Sequence, residues 1–360
     1  LSIRRQRQMC IRDRMYSEAS IRDLGVPVRS ASWVRLIPGV DAENKPVLYA
    51  TMGQNAEPMF ILKIDPESGK FSQYSSGLDK AHGPTAAKWS KSEKCLYVGS
   101  AYAGHLHRFN PKSDCFEDLG AINPPGDTFP CRIDEAPDGT LWIGCYGTAG
   151  LTHFDPRACT FTRHGRMDEV DMYFYPLVGD GGTVAGLVAT TRPHVVVVDP
   201  ATGKHKPVGP VIDKDTRSGT IDLIKGIDGK LYIVSSEGNF RIDGMEIVPV
   251  ESVPAPRPEP TLPDGSTFRF ADASSYTYRK LEIQAPDGTT RTFHLDWKGA
   301  GTDIFLLHEG PDGCIYGSSV LPLHLFKYVP ETGELTDLGQ CTQVGGEIYS
   351  MGNLNGLLYM

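Results

Sequence analysis

Three acidic side chains recur at matched places in the sequence, each close to the start of an apolar run. They are Asp222, Asp303 and Glu347, and each follows a Thr or Gly within two residues. Carboxylate oxygens are the ligands that Ca²⁺ and Mg²⁺ prefer, and added imidazole nitrogens favour Mn²⁺ or Zn²⁺. If the fold brings the three carboxylates together, the sequence predicts a divalent cation at that point.

Such a cation could polarise a carbonyl or a carboxylate of a substrate and make a neighbouring proton or a water acidic. The histidines that could serve as ligands or general bases are His82, His105, His194 and His324. The tyrosines that could donate a proton are Tyr173, Tyr175 and Tyr349. The predicted chemistry is metal-assisted β-elimination or lactone hydrolysis.

Substrate contacts are expected from two further residue types. Arginine guanidinium groups bind anionic groups through paired hydrogen bonds, and tyrosines add polar and apolar contact. The residues expected to bind substrate are Arg132, Arg192, Tyr102 and Tyr146. A carbohydrate-derived acid or lactone, such as a uronate sugar, suits this set.

The elements that must position these side chains follow from an internal repeat. A proline or glycine after a strand-like run recurs at steps of 45, 45, 44, 44, 42 and 44 residues. The repeated positions are Pro66, Pro111, Pro156, Pro200, Gly244, Pro286 and Pro330. Seven copies at so even a period indicate a stack of similar structural units.

Each unit is predicted to contain four short strands separated by turns. Asp138-Gly139 is typical of a two-residue hairpin turn, because glycine accepts the positive φ that such turns require. A strand such as Leu141-Trp142-Ile143 follows, then a strand ending in Asp-Pro, then one ending in Leu-Gly. Four-stranded units of this length are the blades of a β-propeller, so the fold class is all-β with seven or eight blades.

The two ends of the chain suggest how the ring closes. Residues 347–351 and 355–360 match the first two strands of a further blade, and Ile21 to Gly25 matches the end of a fourth strand. We therefore expect an N-terminal strand to complete the last blade. Seven blades remain possible if residues 244–300 form an insertion, and the proline-rich stretch Pro254 to Pro263 is expected to be a loop.

The blade motif resembles that of the NHL, gluconolactonase-like (regucalcin-like) and virginiamycin B lyase-like propellers. In that group Asp-Gly-x-Leu-Tyr-Val precedes a strand ending in Asp-Pro, and the matching run here is Asp228-Gly229-Lys230-Leu231-Tyr232-Ile233. The resemblance covers most of residues 30–360. It implies the fold, whereas propellers of this kind include hydrolases, lyases, isomerases and scaffolds.

The first fourteen residues look foreign. Arg4 to Asp13 is the in-frame translation of a transposase sequencing adapter, so residues 1–14 are expected to be non-native and residues 15–360 to be a single propeller domain truncated at the C-terminus. Without five arginines and one aspartate of this segment, the formal net charge changes from −8 to −12. So acidic a chain is not expected to bind nucleic acid.

The sequence is also compatible with a function other than catalysis. Acidic residues at strand starts often accept hydrogen bonds from backbone amides of the next blade, and isolated histidines are often ordinary strand residues. The sequence contains no HExxH, CxxC, Walker loop or Gly-x-Ser-x-Gly motif. The alternative is a non-catalytic propeller that binds protein or glycan. The longest apolar runs are too short to cross a membrane, so a soluble protein is expected, with its compartment unassigned.

Overall fold

The computed structural model describes residues 21–360 except 55–56, 125, 213–218, 321 and 343–345. The adapter-like segment therefore lies outside the described residues. The chain divides into two compact units, Ser30–Ala300, here called the main unit, and residues 1–29 with 301–360, here called the terminal unit. None of the helices in the described part of the chain is long and apolar enough to span a membrane.

The main unit begins with five four-stranded antiparallel sheets, in which neighbouring strands pair in chain order. We call these sheets blades 1 to 5. The strands of blades 1 and 2 are β1 (Ser32–Val40), β2 (Pro46–Gly53), β3 (Phe60–Ile64), β4 (Phe71–Ser75), β5 (Pro84–Ser90), β6 (Cys95–Ser100), β7 (His105–Asn110) and β8 (Cys115–Ala121). Those of blades 3 and 4 are β9 (Phe129–Glu135), β10 (Leu141–Tyr146), β11 (Gly150–Asp155), β12 (Thr160–Arg166), β13 (Tyr175–Val178), β14 (Val184–Val188), β15 (His194–Val198) and β16 (His205–Val208). Those of blade 5 are β17 (Ile221–Lys225), β18 (Leu231–Ser235), β19 (Gly238–Asp243) and β20 (Glu246–Val250).

A three-stranded sheet, blade 6, ends the main unit, and the terminal unit holds a four-stranded sheet, blade 7, and a two-stranded one. The strands of blade 6 are β21 (Thr267–Phe270), β22 (Lys280–Gln284) and β23 (Thr290–His294). Those of the terminal unit are β24 (Ile304–Glu309), β25 (Ile315–Ser319), β26 (His324–Val329), β27 (Glu334–Gln340), β28 (Gly352–Leu354) and β29 (Leu357–Tyr359). The predicted all-β fold of propeller blades is confirmed.

The repeated Asp-Pro motif makes a turn between the third and fourth strands. The Asp65 carboxylate accepts hydrogen bonds from the backbone N–H groups of Glu67 at 2.8 Å and Ser68 at 3.0 Å. The equivalent Asp155 accepts one from Arg157 at 2.9 Å. An Asp side chain that satisfies the amides two and three residues onward stabilises a tight turn. The motif therefore has a structural role, as its regular spacing predicts.

Neighbouring blades touch where a glycine of one second strand meets a proline of the next blade. The three pairs, here called the Gly–Pro contacts, are Gly53 with Pro84, Gly99 with Pro130 and Gly144 with Pro176. A β-carbon added at Gly144 would lie 2.4 Å from Pro176 Cδ and 2.0 Å from the carbonyl oxygen of Phe174. Distances this short are excluded by van der Waals repulsion, so these sites require glycine.

Hydrophobic cores lie between successive blades. Tyr49 and Ile61 of blade 1 share one with Val98 and Phe109 of blade 2. Blade 1 also shares a core with blade 6, where the rings of Phe60 and Trp297 lie 5.5 Å apart. Blades 1 to 4 each share a core on both faces, because a single four-stranded sheet cannot bury both faces alone.

Blade 6 explains why the repeat weakens between residues 244 and 300. In blade 6 a hairpin turn precedes β21. The strands β21, β22 and β23 take the places of the predicted second, third and fourth strands. In place of a first strand comes the proline-rich segment, which forms no strand and contacts blade 5. There the N–H of Arg257 donates to the carbonyl of Lys225 at 2.8 Å. Proline has no N–H to donate to a sheet, so this segment does not form a strand.

The predicted closing strand is not seen in the described residues. Residues 21–25 have no strand structure, and β28 and β29 pair only with each other. Closure of the ring by an N-terminal strand therefore stays a prediction.

Replacing Gly144 by alanine should destabilise the main unit by about 1–3 kcal/mol, because the new methyl group has no room beside Phe174 and Pro176. Gly181→Ala is the matched control, since a β-carbon there meets nothing within 4 Å and the residue has no positive φ. Urea unfolding followed by tryptophan fluorescence measures both. Equal midpoints for the two variants would contradict the proposed role of the Gly–Pro contacts.

Candidate functional site

The first strands of blades 1 to 5 and residues 256–260 line a cavity of about 780 Å³ in the main unit. The basic residues that line this cavity are Arg35, Lys88, Arg132, Lys225 and Arg257. The acidic ones are Asp134, Asp222 and Glu259. The chain as a whole carries a formal net charge of −8, so a cavity with more cations than anions is a local reversal of charge. Such a cavity attracts anions.

Two of the cations are paired with a buried carboxylate. The Nζ of Lys88 lies 2.7 Å from Asp134 Oδ1, and the Nζ of Lys225 lies 3.7 Å from Asp134 Oδ2. The N–H of Val178 also donates to Asp134 at 2.9 Å. Burial acts to raise the pKa of Asp134, but the two ammonium charges and these hydrogen bonds outweigh it and hold that pKa below its usual value. Arg257 is paired as well, with Asp180.

The guanidinium groups of Arg35 and Arg132 are different. Arg35 donates to the carbonyl of Thr85 at 2.9 Å, and among the described residues neither arginine forms an ion pair with a carboxylate. Both residues are exposed to the cavity. An arginine whose charge is not neutralised by the protein can bind an external carboxylate or phosphate through two parallel hydrogen bonds.

Burial shifts the pKa of two further cavity residues, Lys225 and Tyr175. Burial lowers the pKa of the Lys225 ammonium, although Asp134 and Asp180 oppose the shift. Burial raises the pKa of the Tyr175 phenol to about 12. A lysine that loses its proton more easily can act as a base, and a phenol that keeps its proton can donate it.

Six aromatic side chains form a continuous series along blades 1 to 4, here called the aromatic row. In spatial order they are Trp33, Tyr102, Phe129, Tyr146, Tyr173 and Tyr175. Successive ring centroids lie 5.9, 5.3, 5.8, 4.5 and 5.7 Å apart. The structure thus brings four sequence-predicted tyrosines together, and Tyr175 belongs to both the row and the cavity lining.

Three of the four predicted histidines occupy one repeated position, the first residue of a third strand. His105 Nδ1 lies 2.9 Å from Asp118 Oδ1, and His324 Nδ1 lies 3.0 Å from Asp337 Oδ1. His194 Nδ1 lies 2.6 Å from the carbonyl of Arg192. All three histidines are buried, and none lines the cavity. The contacts of His105 and His324 join the third and fourth strands of a blade, whereas His194 contacts the loop before its own strand and lies 3.5 Å from Asp168, which follows blade 3.

The remaining predicted residues also lie outside the cavity lining. His82 Nε2 lies 2.9 Å from the carbonyl of Asp79. Arg192 and Tyr349 are exposed, and the Tyr349 hydroxyl donates to Glu347. The structure therefore brings only Arg132, Tyr175 and Asp222 of the predicted set into one cavity.

The predicted metal ligands come from both units of the chain. Asp222 belongs to the main unit, whereas Asp303 and Glu347 belong to the terminal unit. No three His, Cys, Asp or Glu side chains in the described part of the chain are grouped so that they could hold a metal ion. The Asp222 carboxylate accepts the N–H of Leu223 at 2.8 Å. The involvement of a divalent cation stays a prediction.

Two acidic residues at strand starts accept hydrogen bonds from backbone amides, but not from those of the next blade, as the alternative interpretation expected. The Asp127 carboxylate accepts the N–H of Thr148 at 2.7 Å, and Asp171 accepts those of Thr190 and Thr191 at 2.9 and 2.7 Å. These amides belong to the same blade as the carboxylate, not to the next one. Asp127 and Asp171 thus fix the loop between second and third strands.

Sequence reasoning missed Arg35, Lys88 and Lys225 in the cavity, and Trp33 and Phe129 in the aromatic row. The signal for the cations was present, because each lies in the first strand of a blade. Aligning the blades and comparing their first strands would have revealed several basic residues. The search for catalytic residue types selected acids and histidines instead.

Comparison with known proteins gives only structural matches. No family model matches the sequence, and no curated protein matches it significantly. The solved structures that it resembles include a catalytically inactive virginiamycin B lyase from Staphylococcus aureus with quinupristin, at 10% identity and a TM-score of 0.44 over 86% of this chain and 84% of that one. A streptogramin B lyase matches at 13% identity and a TM-score of 0.46 over 87% and 95%.

A Bacteroides fragilis protein proposed to be a 6-phosphogluconolactonase matches at 12% identity and a TM-score of 0.39, over 81% of this chain and 94% of that one. These neighbours are of the lyase and lactonase kinds that the blade motif resembles. Nothing about the function of this chain follows from likeness at this level.

The buried His107 in β7 should make stability depend on pH. Its Nε2 lies 2.9 Å from Ser100 Oγ, and burial lowers its pKa to about 4. The unfolded chain binds a proton near the ordinary histidine pKa of about 6.5, so the native state loses stability as the pH falls from there toward 4. We expect His107→Gln to lose less stability over that window, by roughly 1–3 kcal/mol.

Urea unfolding at pH 7 and pH 5 measures this difference. The exposed His205→Gln serves as control and should behave like the unsubstituted protein. A His107→Gln variant with an unchanged pH dependence would show that burial of this imidazole is not its cause.

Proposed function

We propose that the main unit binds a carbohydrate-derived acid or lactone in its cavity. The observation that supports this most is the pair of arginines, Arg35 and Arg132, which face the cavity without a carboxylate partner among the described residues. The cavity volume of about 780 Å³ lies in the range typical of small-molecule sites. A sugar acid supplies both the anion for the arginines and polar groups for the rest of the lining.

Some of the positive charges in the cavity are not paired with a carboxylate of the protein, and this favours an anionic ligand. Within the cavity, Asp134 forms ion pairs with Lys88 and Lys225. Arg257 forms an ion pair with Asp180. The guanidinium groups of Arg35 and Arg132 are therefore left to bind a ligand. A carboxylate is flat and accepts two hydrogen bonds from one guanidinium, so it matches this arrangement better than a neutral sugar does.

The cavity also holds groups suited to β-elimination of a uronate. In this scheme the Lys225 amine takes the proton next to the carboxylate, the electron pair of that C–H bond forms a C=C bond, and the bond to the leaving oxygen breaks. Tyr175 gives its proton to that oxygen. The negative charge that develops on the carboxylate is stabilised by Arg132. The finer assignment as a lyase depends on this pair, Lys225 and Tyr175.

Arg132→Gln should weaken binding of galacturonate by about 10- to 100-fold, because one charge-assisted hydrogen-bonded contact is lost. Binding of neutral galactose should stay as it was. Arg157→Gln, which removes an exposed arginine outside the cavity lining, is the matched control. Isothermal titration calorimetry measures all of these. Equal affinity of galacturonate for Arg132→Gln and the unsubstituted chain would contradict the proposed site.

Lys225→Met should remove any elimination activity on a galacturonate oligomer, because the base is lost while a side chain of similar length remains. The unsaturated product is followed by ultraviolet absorbance. Lys94→Met, at a lysine outside the cavity lining, should keep full activity. A chain that binds galacturonate without forming the product would contradict the lyase assignment and favour the non-catalytic alternative.

A further inference from the structure

We propose that the aromatic row is an extended binding surface for an oligomeric sugar acid whose terminal carboxylate lies in the cavity. This inference rests on the proposed function of the cavity and adds the size of the ligand. The observation behind it is the continuity between the row and the cavity. Tyr175 is the last ring of the row and also part of the cavity lining.

The rings of the row are accessible enough to bind a ligand. Tyr102 is 53% exposed, and the other five are partly exposed rather than buried. Packing within the hydrophobic cores does not require them, because none of the six belongs to a core cluster of the described residues. A series of partly exposed rings on the surface of a soluble chain is typical of a recognition surface.

The backbone at the outer part of the row is strained. Trp33 has a φ of 48° and Tyr102 a φ of 67°, in a region that bulky residues rarely adopt. The indole of Trp33 lies over Gly83, where an added β-carbon would be 2.3 Å from the ring. Holding large rings in such conformations costs energy, and strain of this kind concentrates at functional sites.

The chemistry of the occupant follows from the two parts together. Aromatic rings bind the apolar C–H faces of sugar rings and tolerate different sugars, whereas unpaired arginines select a carboxylate. Trp33, Tyr102 and Phe129 form one cluster, in which Trp33 also lies 6.4 Å from Phe129. Tyr146, Tyr173 and Tyr175 continue from this cluster to the cavity at centroid steps of 5.8, 4.5 and 5.7 Å. Six rings offer more contact surface than one sugar residue covers. An oligouronate satisfies both parts, whereas a single sugar acid uses only the cavity.

Calorimetric titration with galacturonate monomer, dimer and trimer tests the proposal. We expect the affinity to rise by about two- to tenfold with each added residue. Tyr102→Asn should abolish this gain at the outer end and leave monomer affinity unchanged, and asparagine tolerates the positive φ at this site. Tyr102→Phe should keep the gain. The Arg132→Gln variant should weaken all three ligands equally.

The outcomes separate the two proposals. Monomer binding with no gain for the oligomers, or a gain that survives in Tyr102→Asn, overturns the role of the aromatic row and leaves the cavity proposal standing. Neutral oligosaccharides of the same length serve as a further comparison. If they bind as tightly as the acids, and if Tyr102→Asn weakens their binding, the sugar-acid function and the ligand proposed here are both overturned. Absence of binding by any of these ligands overturns both.

Discussion

The close contact between blades at the Gly–Pro contacts is the constraint on which the rest of the structure depends. At Gly144 the backbone carbonyl of Phe174 and the ring of Pro176 occupy the place that a side chain would take. Because the same contact recurs between blades 1 and 2 and between blades 2 and 3, it sets how near the first strands of blades 2, 3 and 4 lie to the blade before them. The cores between blades fill the space that these contacts leave.

That spacing explains why the cavity is built from first strands. Each of blades 1 to 5 presents one edge strand to the same space, so single residues from distant parts of the chain meet there. Arg35 and Arg132 are 97 positions apart in sequence and line one cavity. The buried carboxylate of Asp134 pairs with both lysines of the cavity, and the excess of basic over acidic side chains leaves a positive cavity inside an acidic chain.

Much of the fold could be predicted from the sequence, because turns are local. Asp138-Gly139 and the Asp-Pro motif determine hairpins within a few residues, and their even spacing indicates repeated blades. Blade 6 was harder, since the proline-rich segment replaces a first strand and its place is set by contacts with Lys225, Ile227 and Asp180 that no sequence pattern indicates. The closing strand stays a prediction, because residues 21–25 have no strand structure.

The candidate site was less predictable, because the net charge of the cavity depends on residues from several blades. His105 and His324 look catalytic in isolation, yet each has an Asp thirteen residues later in the chain, and the structure pairs them. That repeated separation was a readable signal of a structural role. By contrast, the positive charge of the cavity depends on which cations lack partners. No spacing rule indicates that Arg132 is unpaired while Lys88 is paired.

A crystal structure of the chain with bound galacturonate would show whether the cavity binds a sugar acid. We expect the carboxylate of the sugar to contact the guanidinium of Arg132 or Arg35, with the sugar ring in the cavity beside Tyr175. Galacturonate bound at another place, with both arginines free of it, would refute this function for the cavity.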